Sequence, residues 1–174
     1  KGIKKPTDLI GKKIAITDIR SSPYYFARAG FKKLGHDEKQ IGLVTTGGTS
    51  NSFATLTSNQ VAGAVLSPPF DDKAVSLGYK KFLFLGDLAD IPYVGLFTSQ
   101  TEVRVHRERV RKTITAVLDA VAWQRDNRAE TVKMIATRYK ISPGEAERSY
   151  QTMIEILSPD GSMDLKKVRG YLNL

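Results

Sequence analysis

KIAITDIRSSPYYFARAGFKKLGHDEKQIGLVTTGGTSN, residues 13–51, carries the pattern on which the fold turns. Lys13–Thr17 is a short apolar, β-branched run and reads as a strand. Ser21, Ser22 and Pro23 follow, and proline at a first helical position after a serine cap is a helix start signal. The spacing predicts a helix from about Tyr24 to Leu34, stopped by Gly35. Ile41–Thr45 reads as a second strand, and Gly47, Gly48, Thr49, Ser50 and Asn51 form a small polar turn before a helix through Phe53 and Leu56. The same alternation continues downstream. Val61–Leu66 reads as a third, fully apolar strand. Ser67, Pro68 and Pro69 break it and open a helix that Gly78 ends, and Tyr79–Leu85 reads as a fourth strand. Strands separated by helices of this length indicate βαβ crossovers and a mainly parallel sheet. Their lack of polar alternation fits a sheet covered by helices on both faces. The class is α/β.

The second half changes character. Pro92–Ser99 (PYVGLFTS) reads as one more strand, and the rest is almost all helical. Val110, Ile114, Val117, Leu118 and Val121 fall on one helical stripe. Ser142-Pro143-Gly144-Glu145 is a capping box with proline inside it. It opens a helix whose Ala146, Tyr150, Met153, Ile154 and Leu157 form an apolar face. The second half offers at most one strand to its helices, too few for a sheet of its own.

Composition bounds the function. The chain has 174 residues, 41% hydrophobic and 26% charged, enough for a buried core. Cysteine is absent, which excludes disulfides, thiolate metal sites and cysteine nucleophiles. No apolar run is long enough to span a membrane. The chain starts at Lys1 without a recognisable signal peptide, so processing or missing upstream sequence is expected. The net charge of +9 is spread evenly, with 13 Lys/Arg against 8 Asp/Glu in 1–90 and 14 against 10 in 91–174. The densest basic run, Arg104, Arg107, Arg109, Arg111 and Lys112, is interrupted by Glu102 and Glu108 and reads as a solvated helix face. Nucleic-acid motifs are missing, so no nucleic-acid partner is expected.

In a parallel α/β sheet, ligands gather at the carboxyl ends of the strands. Three strand-to-helix turns there are small and polar: Asp18–Pro23, Thr45–Asn51 and Ser67–Phe70. Each offers hydroxyls and backbone N–H groups beside a helix start, chemistry that suits an anion or a carbonyl-bearing ligand. Helix caps use the same residue types, so any one turn can equally be structural. The 45–51 turn exceeds what capping needs, and its adjacent glycines allow close backbone approach to a ligand. It lacks the Gly-Lys-Ser/Thr of a nucleotide P-loop. His36 and His106 read as surface residues without metal-ligand spacing. The adjacent Asp71 and Asp72 point apart and make a poor acid–base pair, Asp71 being favoured by the helix dipole. Trp123 reads as core or interface. No catalytic residues, metal or cofactor are expected.

The segments Gly2-Ile3-Lys4-Lys5-Pro6-Thr7-Asp8-Leu9, Gly11–Ile16 and the Gly47-Gly48-Thr49 turn resemble solute-binding proteins of ABC importers. So does Leu56 with Gln60–Pro69, whose Ser-Pro-Pro turn after an Ala-Val-Leu strand is the most specific piece. The branch is the nitrate/sulfonate/taurine type, including relatives that bind the thiamine pyrimidine precursor. The resemblance covers most of residues 2–100 and continues loosely to about Ile156. It implies a two-lobed, periplasmic-binding-protein-like fold, with 1–90 the second lobe and 91–174 returning to a first lobe whose opening strands precede Lys1. It implies a periplasmic or extracytoplasmic membrane-anchored protein that captures a small anionic or aromatic-polar solute for a membrane permease. Ligand contacts carried over are Ser21, Ser22, Gly48, Thr49, Ser50, Ser67 and Pro68, with Phe70 as a wall. Ser22-Pro23-Tyr24-Tyr25 departs from the Gly-containing turn of relatives. Uncovered apolar helix faces would favour self-association or strand exchange. A sensing module on the same fold is an alternative. So is the pyrimidine-forming enzyme branch, whose cysteine-rich motif this chain lacks.

Overall fold

The computed structural model describes residues 2–84 and 94–172. The chain divides into two compact units, one up to Asp90 and one from Ile91. In the first, β1 (Lys13–Ile16), β2 (Gly42–Thr45) and β3 (Gly63–Ala64) form a parallel sheet in the order β2-β1-β3. Register places Ile14 beside Leu43 and Ile16 beside Thr45, and Ile14 beside Gly63 on the other side. Alternation along β1 decides the layering, because successive side chains point to opposite faces. Ile14 and Ile16 pack with Leu9, Ala27, Phe31 and Ile41, on the face covered by α1 (Ser22–Lys33). Ala15 points the other way, to Leu56, Val61 and Ala74, under α2 (Thr49–Thr57) and α3 (Phe70–Ser76). Ile16 is fully buried, a burial that stabilises by about 1.5–3 kcal/mol.

Three expected strands are corrected. The third covers only Gly63–Ala64 rather than Val61–Leu66. Ala62 N–H still donates to Lys13 O and Val65 N–H to Ala15 O, each at 2.9 Å. After Val65 the chain enters the turn closed by Phe70 N–H on Ser67 O, and the two prolines inside that turn have no N–H to donate. The fourth strand is not formed over 79–84, and Leu85 lies outside the described residues. Tyr79 and Phe82 join the two core clusters through their side chains instead. Nor does a strand form over 94–99, where Val94, Leu96 and Phe97 are exposed; Pro92 and Tyr93 lie outside the described residues. In all three cases an apolar run reports burial demand, whereas a strand also needs a partner edge for its backbone.

The second unit is helical: α4 (Gln100–Val105), α5 (Arg107–Asp126), α6 (Arg128–Tyr139), α7 (Pro143–Ile156) and α8 (Leu165–Leu172). The expected capping box is present at α7: Ser142 Oγ accepts from Glu145 N–H, and Glu145 Oε2 accepts from Ser142 N–H at 2.9 Å. Ala146, Ser149 and Tyr150 of α7 are buried together with Val121 and Thr131. Tyr150 Oη donates to Gln124 O at 3.2 Å, and Arg125 Nη2 donates to Ile154 O and Leu157 O at the end of α7. The α5 stripe is only partly covered. Val121 is buried, but Ile114 and Val117 remain 45% and 41% exposed, and Trp123 is no core residue at 45%.

Candidate functional site

All three polar turns leave the same edge of the parallel sheet, because β1, β2 and β3 run in one direction. The chain passes from β1 to β2 on one side, then crosses to β3 on the other. That reversal opens a crevice at the carboxyl ends, where α/β sheets hold ligands.

In the first turn the hydroxyls are used locally. Thr17 Oγ1 donates to Ser21 Oγ at 2.8 Å, and Ser21 Oγ donates to Asp18 O at 2.6 Å. Asp18 Oδ1 accepts from Arg20 N–H at 2.9 Å. Ser21 is the residue before α1, but its side chain caps no helical N–H. Ser22, half-buried, begins the helix with Pro23 behind it.

The second turn is fastened to the first. Thr46 N–H donates to Ile16 O at 3.0 Å, and Gly47 N–H to Thr17 O at 2.9 Å. Asn51 Nδ2 donates back to Thr46 O at 2.8 Å. Gly48 precedes α2 in extended conformation (φ 179°) and supplies no side chain, so α2 too begins without a side-chain cap. The first N–H groups of a helix lack intrahelical acceptors, and the aligned peptide dipoles put partial positive charge there. Ser50 is exposed beside them and Thr49 half-buried.

Thr49 joins the second turn to the third, its Oγ1 lying 3.3 Å from Ser67 Oγ. Phe70 N–H donates to Ser67 O at 3.0 Å, closing the turn over Pro68 and Pro69, whose peptide bond is cis. One helical turn below Thr49, Phe53 meets Phe70 with ring centroids 5.5 Å apart, and Lys73 Nζ lies 5.7 Å from the Phe53 centroid. The structure thus brings Gly48, Thr49, Ser67 and Phe70 into one connected patch, with Ser21 tied to it through Thr17 and Gly47; Ser22 follows Ser21 at the start of α1. Asp71 is turned to another task, pairing with Lys81 at 3.2 Å.

Thr46 and Asn51 belong to the turn the sequence singles out but not to its expected ligand contacts, and Ser52 and Phe53 are read from the sequence only as part of the following helix. The signal was the density of short polar residues from Thr45 to Ser52, but which hydroxyl holds which carbonyl depends on contacts made after folding. Among the described residues no three His, Cys, Asp or Glu side chains are grouped to hold a metal ion. His36 is half-buried, and His106 is exposed between α4 and α5. The basic run lies along these helices. Arg109 Nε donates to Glu102 at 2.6 Å, and Arg111 grips Glu108 with two bonds of 2.7 and 2.9 Å. An open groove of about 530 Å³ beside them is lined by α5 alone, from Glu108 to Val117.

The model of the NMT1-like family matches residues 5–137, most of the chain. The chain belongs to the NMT1-like family. No curated protein sequence matches it at a significant level. Among solved structures, this NMT1-like chain is similar to a protein from Bordetella bronchiseptica RB50, with TM-score 0.80 and 19% identity over 99% of this chain and 57% of that one. It is similar to the alkanesulfonate-binding protein SsuA from Xanthomonas axonopodis pv. citri bound to MOPS, at TM-score 0.74 and 18% identity over 98% of this chain and 57% of that chain. It is also similar to the periplasmic aliphatic sulphonate binding protein SsuA from Escherichia coli, at TM-score 0.65 and 19% identity over 91% and 53%. These likenesses show the periplasmic-binding-protein-like fold. The chain spans about 57% of the length of the first of these proteins.

Proposed function

We propose that this chain is the solute-capturing part of an extracytoplasmic binding protein that serves an ABC importer, and that its solute is a small oxyanion of the sulfonate class. The observation that carries the reading is the start of α2: uncapped, preceded by two glycines, and joined to the third turn through Thr49 and Ser67. Backbone N–H groups and neutral hydroxyls bind an anion by donating to its oxygens, without proton transfer or a covalent step. Two of the similar structures are sulfonate-binding proteins, which supports the ligand class. Residues 1–90 act in this reading as one lobe and 91–174 as part of the other. Ser21, Ser22, Gly48, Thr49, Ser50, Ser67 and Pro68 face the solute, and Phe70 forms a wall beside it. No helix among the described residues is long and apolar enough to cross a membrane. The partner in this reading is a membrane permease.

Calorimetric titration with methanesulfonate, sulfate and nitrate tests the reading. Replacing Thr49 and Ser67 together by Ala should weaken binding at least tenfold, since hydrogen bonds to a charged group contribute about 1.5–3 kcal/mol each. An unchanged affinity removes both residues from the site. Recovery of the titrant unaltered by mass spectrometry checks that capture involves no reaction. Phe97 at 88% exposure and Leu165 at 72% support self-association as a further property. Native mass spectrometry should then show a dimer or larger species, and a monomer at micromolar concentration would refute it.

A further inference from the structure

Ser52 lies four residues into α2, is polar, and is as completely buried as Ile16. Its hydroxyl sits 2.6 Å from Thr46 Oγ1, the one partner it has among the described residues. A buried O–H that donates to nothing is costly, so Ser52 is the donor and Thr46 the acceptor. The single hydroxyl proton of Thr46 is then free for carbonyls, and two lie in reach: Ile16 O at 3.0 Å and Gly48 O at 3.2 Å. Ile16 ends the central strand, and Gly48 is the residue from which α2 begins. None of the three helix starts on this edge is fixed by a side-chain cap, yet an anion site of backbone N–H groups works only if those groups are held in place before the ligand arrives. We infer that Ser52 and Thr46 are positioning residues, a two-hydroxyl peg that pins the start of α2 to the end of β1 and keeps its N–H groups aimed at the captured anion. The inference rests on the anion-capture reading for its functional consequence. The peg itself touches no ligand; Asn51 supports it from the other side by bonding Thr46 O.

Thr46→Val removes the hydroxyl at nearly constant volume, Thr46→Ser keeps it, and Ser52→Ala removes the donor. Amide hydrogen exchange by NMR on the ligand-free protein is measured for each. In T46V and S52A the N–H groups of Thr46, Gly47 and Ser52 should exchange at least tenfold faster than in the unaltered chain. T46S should stay within about twofold of it, and so should Gly42 N–H, at the far end of the sheet, in every variant. Titration with methanesulfonate and sulfate then reads function: T46V and S52A should lose at least fivefold in affinity at a temperature where all variants remain folded, with T46S restoring it. Unchanged exchange at Gly47 and Ser52 in T46V would overturn the peg. Faster exchange with full affinity would overturn its role in capture. An unaltered chain that binds neither anion would sink the capture reading, while exchange still decides whether the hydroxyl pair orders the turn.

Discussion

The N–H of Ser162 and the hydroxyl of Ser158 both donate to Asp160 Oδ1, at 2.9 and 2.8 Å. With the Ser162 N–H as the main cause, they hold this carboxyl at about 2 instead of its usual 3.8. A carboxyl whose folded value is depressed stabilises the fold above its unfolded value, and that contribution is lost as pH falls through the folded one. Asp8 behaves alike, lowered by the backbone N–H groups of Lys4 and Lys5, and Glu147 is lowered by Arg128. Asp160→Asn should therefore flatten part of the stability loss between about pH 4 and about pH 2, measured as urea midpoints. Equal pH slopes for both proteins would show that the Ser158–Ser162 loop opens early and carries none of it. The two glycines of the second turn make a sharper contrast. Gly47 has φ +79°, in the left-handed region, while Gly48 is extended with open space around its Cα. Gly47→Ala should cost about 1–2 kcal/mol through backbone strain, and Gly48→Ala should cost much less. Thermal melts of the two variants check this, and equal losses would count against it.

Helix ends were legible at the level of elements because their signals act over four residues. Ser142, Pro143 and Glu145 announce α7 in the sequence, and the box is closed in the structure. Ser142→Ala should cost about 1 kcal/mol and lower Tm by several degrees; no change would mean that α7 is fixed by packing alone. The same cap logic fails at Ser21. The residue is where a cap is expected, but its hydroxyl closes the Asp18 turn and leaves α1 open. Strands were less legible. Val61–Leu66 and Tyr79–Leu85 have the composition of strands, yet the ladder extends only over Gly63–Ala64 in the first and is not formed over 79–84 in the second. Pairing is decided by which backbone edge lies alongside, and no local periodicity contains that. The α5 stripe shows the same limit: Ile114 and Val121 have identical sequence credentials, but one is exposed and the other buried.

At the scale of the whole molecule, +9 of net charge draws anions toward the chain whichever residues hold them. Association of methanesulfonate should therefore slow as salt rises from about 0.01 M to about 0.15 M, while dissociation stays nearly constant. Stopped-flow titration at both salt levels measures this, and a salt-independent association rate would show that charges beyond the turns play no part. The sequence alone determined the α/β class, the alternation of strand and helix up to Gly78, the helical second half and the family, because periodicity, caps and the Ser-Pro-Pro turn are local features. It also pointed to the residues of the candidate site, by clustering hydroxyls and glycines after three strands. Only the tertiary structure decided that Ile14 and Ile16 face one helical layer and Ala15 the other, and that Thr49 meets Ser67. It alone showed that a serine reading as an ordinary helix residue, Ser52, is fully buried against Thr46. The reason is physical: a hydroxyl's partner lies wherever folding brings an acceptor within 3 Å, and for Thr46 that acceptor, Ile16 O, comes from 30 residues away in the chain.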